Sequence, residues 1–170
     1  MTDEVRQHRA EDPLARFRRR TGRIAEPAPQ FGSDRIDGAR PLRGSVHVRY
    51  VDLGWATDCA MEIAAAFGPV YDLERYGIRL VASPRHADVL LITGVVTRNM
   101  VEPLRLTIEA TPQPRLIVAV GDAAITGGPF AGGYGVAGVV SDFAPVDLEI
   151  PGSPPEPAEI VAALRMLSGR

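Results

Sequence analysis

The sequence predicts an α/β domain in which helices cover a mostly parallel sheet. Two short, continuous apolar runs, residues 89–93 and 116–120, are typical of strands that are buried on both faces. From residue 45 onward, such runs alternate with segments of helical spacing, which indicates strand–helix–strand units. A chain of 170 residues is long enough to bury one such core, so we expect a single domain.

The first strand and helix follow directly from this pattern. Residues 46–53 are predicted as the first strand, and residues 58–67 as the helix that comes after it. Thr57 or Asp58 is placed to cap the free backbone N–H groups at the start of that helix. The chain therefore enters the sheet at about residue 45 and leaves it through a glycine-containing loop.

The later elements complete the same alternation. Residues 103–110 lie on the crossover between the two buried strands. Residues 158–167 are apolar at helical spacing, and Pro157 stands at a favourable first-turn position for a helix. We therefore expect the chain to end in a helix that packs on the sheet.

The first 43 residues differ from the rest in polarity and in proline and glycine content. Residues 14–20 have the pattern of a short basic amphipathic helix, and residues 25–43 resemble a linker. Two interpretations stay open, a solvated tail and a segment that docks on a partner or on an anionic membrane surface. The chain is therefore divided into an Arg-rich N-terminal extension, residues 1–43, and a domain, residues 44–170.

Composition argues against nucleic-acid binding and membrane insertion. The formal net charge of −2 gives no basic excess, so we expect no nucleic acid as a partner. No apolar run approaches the roughly 20 residues of a membrane-spanning helix, and the polar N-terminus lacks the apolar region of a signal peptide. The single cysteine fits a reducing compartment. The expected location is the cytoplasm.

Three loops lie at the carboxyl ends of predicted strands or just beyond them. They read Gly-Trp-Ala-Thr-Asp-Cys at residues 54–59, Gly-Asp-Ala-Ala at residues 121–124 and Pro-Gly-Ser-Pro-Pro at residues 151–155. Open α/β sheets bind their ligands at this edge, so the three loops are expected to converge there.

These loops and the segments around them resemble the small electron-transfer subunit of respiratory complex I, its 20 kDa subunit, and of membrane-bound [NiFe] hydrogenases and formate hydrogenlyases. The resemblance spans residues 44–167, with collinear matches at residues 71–77, 83–94, 96–100, 119–122, 127–130 and 145–147. It implies a flavodoxin-like three-layer domain and a large hydrogenase or complex I 49 kDa-like subunit as the partner. It also implies a membrane-associated complex, held through partners on the cytoplasmic face of the inner membrane and linked to quinone.

In that family the loops read roughly Gly-Ser-Cys-x-Gly-Cys, Gly-x-Cys-Ala and Pro-Gly-Cys-Pro-Pro, and their four cysteines bind one [4Fe–4S] cluster. Here Ala56, Ala123 and Ser153 occupy the first, third and fourth ligand positions, and only Cys59 remains. Alanine has no donor atom and a serine hydroxyl is a poor one, whereas these clusters take soft thiolates. The family cofactor is therefore expected to be absent or incomplete.

Two expectations follow for the side chains around the vacated site. Cys59 is expected to be a small buried side chain near a helix start; exposed there, its pKa would instead be lowered and its thiol reactive. Trp55 is expected to turn inward among Ala56, Ala123 and Ser153 and to fill part of the vacated volume.

Other polar residues match positions of the family. Glu62 matches a glutamate near the metal sites, where a carboxylate can relay protons; without a redox centre it is expected to cap, pair or face a partner. Arg75, Arg85 and Arg98 either contact a partner subunit or the quinone region, or form surface ion pairs. Asp122 is expected to cap the helix that follows its strand.

Three functions of different classes stay open. The first is a cluster-free small subunit, without catalytic activity of its own, kept as a structural partner of a large catalytic subunit. The second is a working electron-transfer subunit whose cluster is completed by other chains. The third is a free-standing flavodoxin-like binding module. The first is favoured, because residues far from the ligand positions, including residues 83–94, still follow the family.

Overall fold

A parallel sheet forms the centre of the computed structural model, which describes Leu42 and residues 44–168. The predicted extension, residues 1–43, lies outside the described residues apart from Leu42. Within the described residues, the strands in chain order are β1 (Val46–Asp52), β2 (Ile78–Leu80), β3 (Val89–Thr93), β4 (Val96–Thr97), β5 (Leu116–Val120), β6 (Val136–Gly138) and β7 (Leu148–Ile150).

Five of these strands form the sheet, in the order β2-β1-β3-β5-β7, and every neighbouring pair is parallel. Counted within the sheet alone, this is the order 2-1-3-4-5 of flavodoxin-like domains. β4 and β6 form a separate antiparallel ribbon. The predicted α/β class with a mostly parallel sheet is confirmed.

Helices cover both faces of the sheet. In the described part of the chain they are α1 (Thr57–Ala66), α2 (Val101–Ala110), α3 (Asp122–Thr126) and α4 (Pro157–Ser168). Val89 and Leu91 of β3 belong to the core that α1 and α4 cover, whereas Leu90 and Ile92 belong to the core under α2 and α3. Successive side chains of a strand point to opposite faces of the sheet, so β3 contributes to a hydrophobic core on each face. The sheet is therefore the middle one of three layers. None of these helices has the length and apolar character needed to cross a bilayer.

The observed bounds agree with the predicted elements to within two residues. β3 and β5 match their predicted ranges, and α1 begins and ends one residue before its predicted range. The crossover segment is helical from Val101, and the last helix begins at Pro157 as its first-turn position indicated. The short strands β2, β4, β6 and β7 were not predicted, whereas α3 is the helix expected after the strand that precedes Asp122.

Of the two residues expected to satisfy free N–H groups at the start of α1, Asp58 does so for one amide, although neither residue is the N-cap. The N-cap residue is Ala56, whose methyl group cannot accept a hydrogen bond. Asp58 lies inside the first turn, where its Oδ1 accepts a hydrogen bond of 2.8 Å from the N–H of Cys59. The carboxylate thus satisfies one free amide from within the helix, at the end where the helix dipole favours a negative charge.

Candidate functional site

The three loops singled out in the sequence meet at one edge of the sheet. The first loop (residues 54–59) follows β1, the second loop (residues 121–124) follows β5 and the third loop (residues 151–155) follows β7. Because these strands are parallel, their carboxyl ends share that edge. The fold therefore brings together residues that are almost 100 positions apart in the sequence.

The contact that joins all three loops is centred on Gly121. A Cβ atom at this glycine would lie 2.6 Å from the Sγ of Cys59, 3.4 Å from the carbonyl oxygen of Gly152 and 3.9 Å from Cδ of Pro155. Gly121 also has a φ of 86°, which side chains rarely adopt. The Cys59 thiol thus occupies the space that a side chain at Gly121 would need, and the predicted convergence is confirmed.

Hydrogen bonds hold the second and third loops together. The N–H of Gly121 donates to the carbonyl oxygen of Ile150 at 2.8 Å, and that of Asp122 donates to Gly152 at 2.8 Å. In return, the N–H of Gly152 donates to Oδ1 of Asp122 at 2.9 Å. The prediction that Asp122 caps α3 is wrong, because the N-cap is Gly121 and the Asp122 carboxylate bridges two loops instead.

The first loop is held by a separate set of contacts. The Asp52 carboxylate accepts a hydrogen bond of 2.9 Å from the N–H of Gly54, and the hydroxyl of Thr97 donates to the carbonyl oxygen of Leu53 at 2.9 Å. A side chain at Gly94 would collide with the carbonyl oxygen of Gly54, so the loop after β3 packs directly on the first loop. Hydrogen bonds and packing within the chain therefore hold the first loop in shape.

Cys59 is a buried thiol near the start of α1. Its side chain is 3% exposed, as predicted, and the alternative of an exposed and activated thiol is wrong. Burial, followed by the neighbouring Asp58 carboxylate, raises the pKa of Cys59 to about 12. Asp122 and Asp52 add smaller effects of the same sign. In the free chain at neutral pH the thiol is therefore protonated.

The donor set does not fit a [4Fe–4S] cluster with four thiolate ligands. Ala56 is 1% exposed, Ala123 is half-buried and Ser153 is exposed, so Cys59 alone supplies sulfur at the four ligand positions. Within the part of the chain that the structure describes, no group of three His, Cys, Asp or Glu side chains is placed to hold a metal ion.

The prediction that Trp55 turns inward is wrong. Its side chain is 54% exposed, and its ring packs on Phe130 with the ring centroids 5.1 Å apart. The backbone of Trp55 has a φ of 55°, in the left-handed region. Inside the loop, the methyl group of Ala56 and the thiol of Cys59 are buried instead, and the thiol fills the space over Gly121. Small side chains therefore line this part of the interior.

An aromatic patch of Trp55, Phe130, Tyr134 and Arg98 lies beside the first loop. The guanidinium of Arg98 lies over the ring of Tyr134, 4.7 Å from its centroid, and the backbone N–H of Arg98 donates to the carbonyl oxygen of Gly135 at 2.9 Å. A Cβ atom at Gly135 would lie 3.8 Å from the Trp55 ring, so the two halves of the patch adjoin. Sequence reasoning missed Phe130 and Tyr134, although both lie in the glycine-rich segment at residues 126–134.

The remaining predicted residues divide between the two edges of the sheet. Glu62 lies half-buried on α1, three residues after Cys59 and hence on a nearby part of the helix surface. Arg75, which stacks on Tyr76 at 5.3 Å, and Arg85 belong to turns that precede β2 and β3, at the opposite edge. None of Arg75, Arg85 and Arg98 forms an ion pair with a described residue. Of the three arginines, only Arg98 lies beside the loops.

Comparison with known proteins agrees with this architecture. The family model described as NADH ubiquinone oxidoreductase, 20 Kd subunit, matches residues 57–167. An uncharacterized protein of Methanocaldococcus jannaschii is 47% identical over 120 residues, which cover 71% of this chain and 80% of that protein. Formate hydrogenlyase subunit 7 of Escherichia coli is 40% identical over 130 residues, 76% of this chain. The chain spans about half the length of this second relative, 51%.

A solved structure shows the same fold within a larger assembly. One chain of the membrane-bound sulfane sulfur reductase, an archaeal respiratory membrane complex, superposes with a TM-score of 0.65 at 29% sequence identity. The match covers 77% of this chain and 75% of that one.

Proposed function

The chain belongs to the NADH ubiquinone oxidoreductase 20 Kd subunit family, and from this premise we propose that it is a cluster-free structural subunit of a complex I-like or hydrogenase-like complex. Its role is to dock on a large catalytic subunit of the hydrogenase or 49 kDa type. The observation that carries the proposal is the loop convergence, where one buried thiol stands among ligand positions that hold no other sulfur.

The way the loops are held supports a role that does not need the cluster. In a cluster-bearing site, metal–ligand bonds cross-link the loops that supply the ligands. Here the Asp122 carboxylate, the backbone bonds between the second and third loops, and the Gly54–Gly94 contact provide the links. A surface built from these loops therefore keeps its shape without iron.

Completion of a cluster by other chains is less consistent with the geometry. Incoming ligands would have to reach Cys59 beside Ala56, and both side chains are buried. This alternative would require the three loops to open before any cluster could form.

We place the protein at the membrane only through its partners. A related chain belongs to an archaeal respiratory membrane complex, and the described helices of this chain are too short to cross a bilayer. Attachment on the cytoplasmic face, through the large subunit, is the arrangement that joins these two facts. The aromatic patch beside the loops favours such a partner over a free-standing binding module.

Assembly tests the docking role. The full-length chain, co-expressed with the hydrogenase-type or 49 kDa-type large subunit of the same genome, is expected to form a one-to-one complex. Size-exclusion chromatography with light scattering measures that stoichiometry. A chain that stays monomeric beside a folded large subunit contradicts the docking role.

A further inference from the structure

We infer that residues 34–41 of this chain pack on the outward face of α4, which is formed by Ala158, Ala162 and Arg165. These residues lie outside the described part of the chain and directly before it. The carboxylates of this segment then lie beside the guanidinium of Arg165. The inference goes beyond the proposed function and is independent of it, because the occupant of the surface belongs to the same chain.

The described chain begins beside the C-terminal end of α4. The N–H of Gly44 donates to the carbonyl oxygen of Ser168, the last residue of the helix, at 2.9 Å. Leu42 is 7% exposed and belongs to the core that α1 and α4 cover. The residues before Leu42 therefore start from this end of α4. The helix has 12 residues and is about 18 Å long, which about six residues of extended chain can span.

The outward face of α4 is covered beyond its first turn. Buried side chains at helical spacing form the opposite face, towards the sheet: Ile160, Ala163, Leu164 and Leu167. Ala158 and Ala162 lie one turn apart on the outward face. Ala158 is exposed, whereas Ala162 is 5% exposed and belongs to neither hydrophobic core. The cover thus extends from Ala162 towards the end of the helix at which the described chain begins.

The described neighbours of α4 lie mainly beneath it and beside it. Its main contacts are with α1, with the sheet strands β2 and β7, and with the turn at residues 73–76. α1 belongs to the same layer as α4, and the two strands lie below both helices. The turn reaches the outward face where Tyr76 contacts Arg165. A segment that continues from Leu42 along the helix completes this cover.

Positive charge is concentrated at the same end of α4. The guanidinium of Arg165 lies 4.4 Å from the centroid of the Tyr76 ring, and that of Arg75 lies 5.3 Å from the same centroid. Two like charges beside one ring favour a negative charge next to them. A segment that packs here is therefore expected to present carboxylates, which guanidinium groups bind with charge-assisted hydrogen bonds.

The segment before Leu42 has the matching chemistry. Asp37 and Asp34 lie five and eight residues before Leu42, and Ile36 lies between them. Eight extended residues span about 26 Å, more than the length of α4. The two carboxylates can therefore reach the guanidinium groups, and Ile36 supplies an apolar side chain for the outward face.

Thiol labelling in the full-length chain tests this contact. In the Cys59→Ala background, Ala162→Cys and Ala158→Cys each provide a single thiol, one turn apart on the outward face. An excess of a maleimide dye is expected to label position 162 at least about tenfold more slowly than position 158, because only position 162 lies under the cover.

Changes in the segment should then uncover position 162. Ile36→Ser, and separately the pair Asp34→Arg with Asp37→Arg, are each expected to speed labelling of Ala162→Cys by about tenfold or more. Adding Arg165→Glu to the reversed pair should slow labelling again by about threefold or more, since opposite charges then face each other once more.

Matched controls come from the same extension and the same helix face. Glu11→Arg with Asp12→Arg reverses two carboxylates farther from the domain and is expected to leave the rate at position 162 within about twofold. Position 158 should be labelled equally fast in every variant. Thermal melting verifies that each protein is folded.

The outcomes decide the inference by themselves. An unchanged labelling rate at position 162 in both the Ile36→Ser variant and the reversed pair would overturn it. A rate that falls as the protein concentration rises would also overturn it, because the cover would then come from a second copy. Faster labelling in both variants, recovery with Arg165→Glu and unchanged controls are the result we expect. The large subunit is absent from these experiments, so the proposed function is tested separately.

Discussion

At the scale of single residues, the chemistry of the site depends on Cys59. A thiol at a helix start beside a cation would be activated, but this one is buried and adjoins the Asp58 carboxylate. Burial and negative charge both disfavour the thiolate. Cys59, which holds the one remaining cysteine ligand position of the family, is therefore an unreactive thiol in the free chain.

The raised pKa of Cys59 predicts a dependence of stability on pH. In the folded state the pKa rises from 9.0 to about 12, so the unfolded chain loses this proton first as the pH increases. The free energy of unfolding is then fully maintained below pH 9 and falls as the pH rises towards 12, by at most about 1.4 kcal/mol per pH unit for one proton.

Urea unfolding of the wild type and of Cys59→Ala across this range measures the effect. The alanine variant should be less stable at neutral pH, because a small cavity remains, and its stability should fall less steeply above pH 9. If the free energy of unfolding falls equally with pH above 9 in both proteins, the thiol does not titrate as described.

Restoring the missing thiols tests the donor argument directly. In the triple variant Ala56→Cys, Ala123→Cys and Ser153→Cys, four sulfur donors return to loops that converge on Gly121. Anaerobic treatment with ferrous iron and sulfide is expected to load about four irons per chain into the variant, and none into the wild type. Loading of the wild type to the same level would refute the donor argument.

At the scale of elements, the second and third loops are held by a carboxylate bridge. Asp122 accepts a hydrogen bond from Gly152 at 2.9 Å, while at the other end of the same strand pair Asp147 accepts one from Ile117 at 2.7 Å. The two bridges thus fix opposite ends of β5 and β7. Only the first of them lies at the edge where the candidate site is found.

This symmetry gives a matched pair of variants. Asp122→Ala and Asp147→Ala should each lower the free energy of unfolding by about 1–2 kcal/mol, because an amide loses its partner. Only Asp122→Ala should also speed hydrogen exchange at Gly152 and weaken binding to the large subunit. Equal loss of binding in both variants would indicate that general stability, and not loop shape, controls docking.

At the scale of the whole molecule, the sequence indicates the inner sheet well and its edges poorly. Continuous apolar runs mark β3 and β5, which are buried on both faces. β2 and β7 have three residues each, too few for a periodic pattern to be recognised. The ligand positions followed from the family resemblance and their convergence from the topology rule.

The aromatic patch shows why the rest of the site was not predicted. Trp55 and Phe130 lie 75 positions apart, and their contact depends on a left-handed backbone at Trp55 that no periodicity in the sequence signals. The role of Asp122 was missed for a related reason. Local capping rules place such a carboxylate at its own helix start, whereas the amide that Asp122 accepts from belongs to another loop.

Iron and acid-labile sulfide content, with low-temperature EPR after reduction, tests the cluster-free role most directly. The sample is the complex purified anaerobically with its large subunit, and the large subunit purified alone provides the reference. We expect no additional iron, no additional sulfide and no new reduced-cluster signal from this chain. About four additional irons per chain, with the signal of a reduced cluster, would contradict it and show that other chains complete the site.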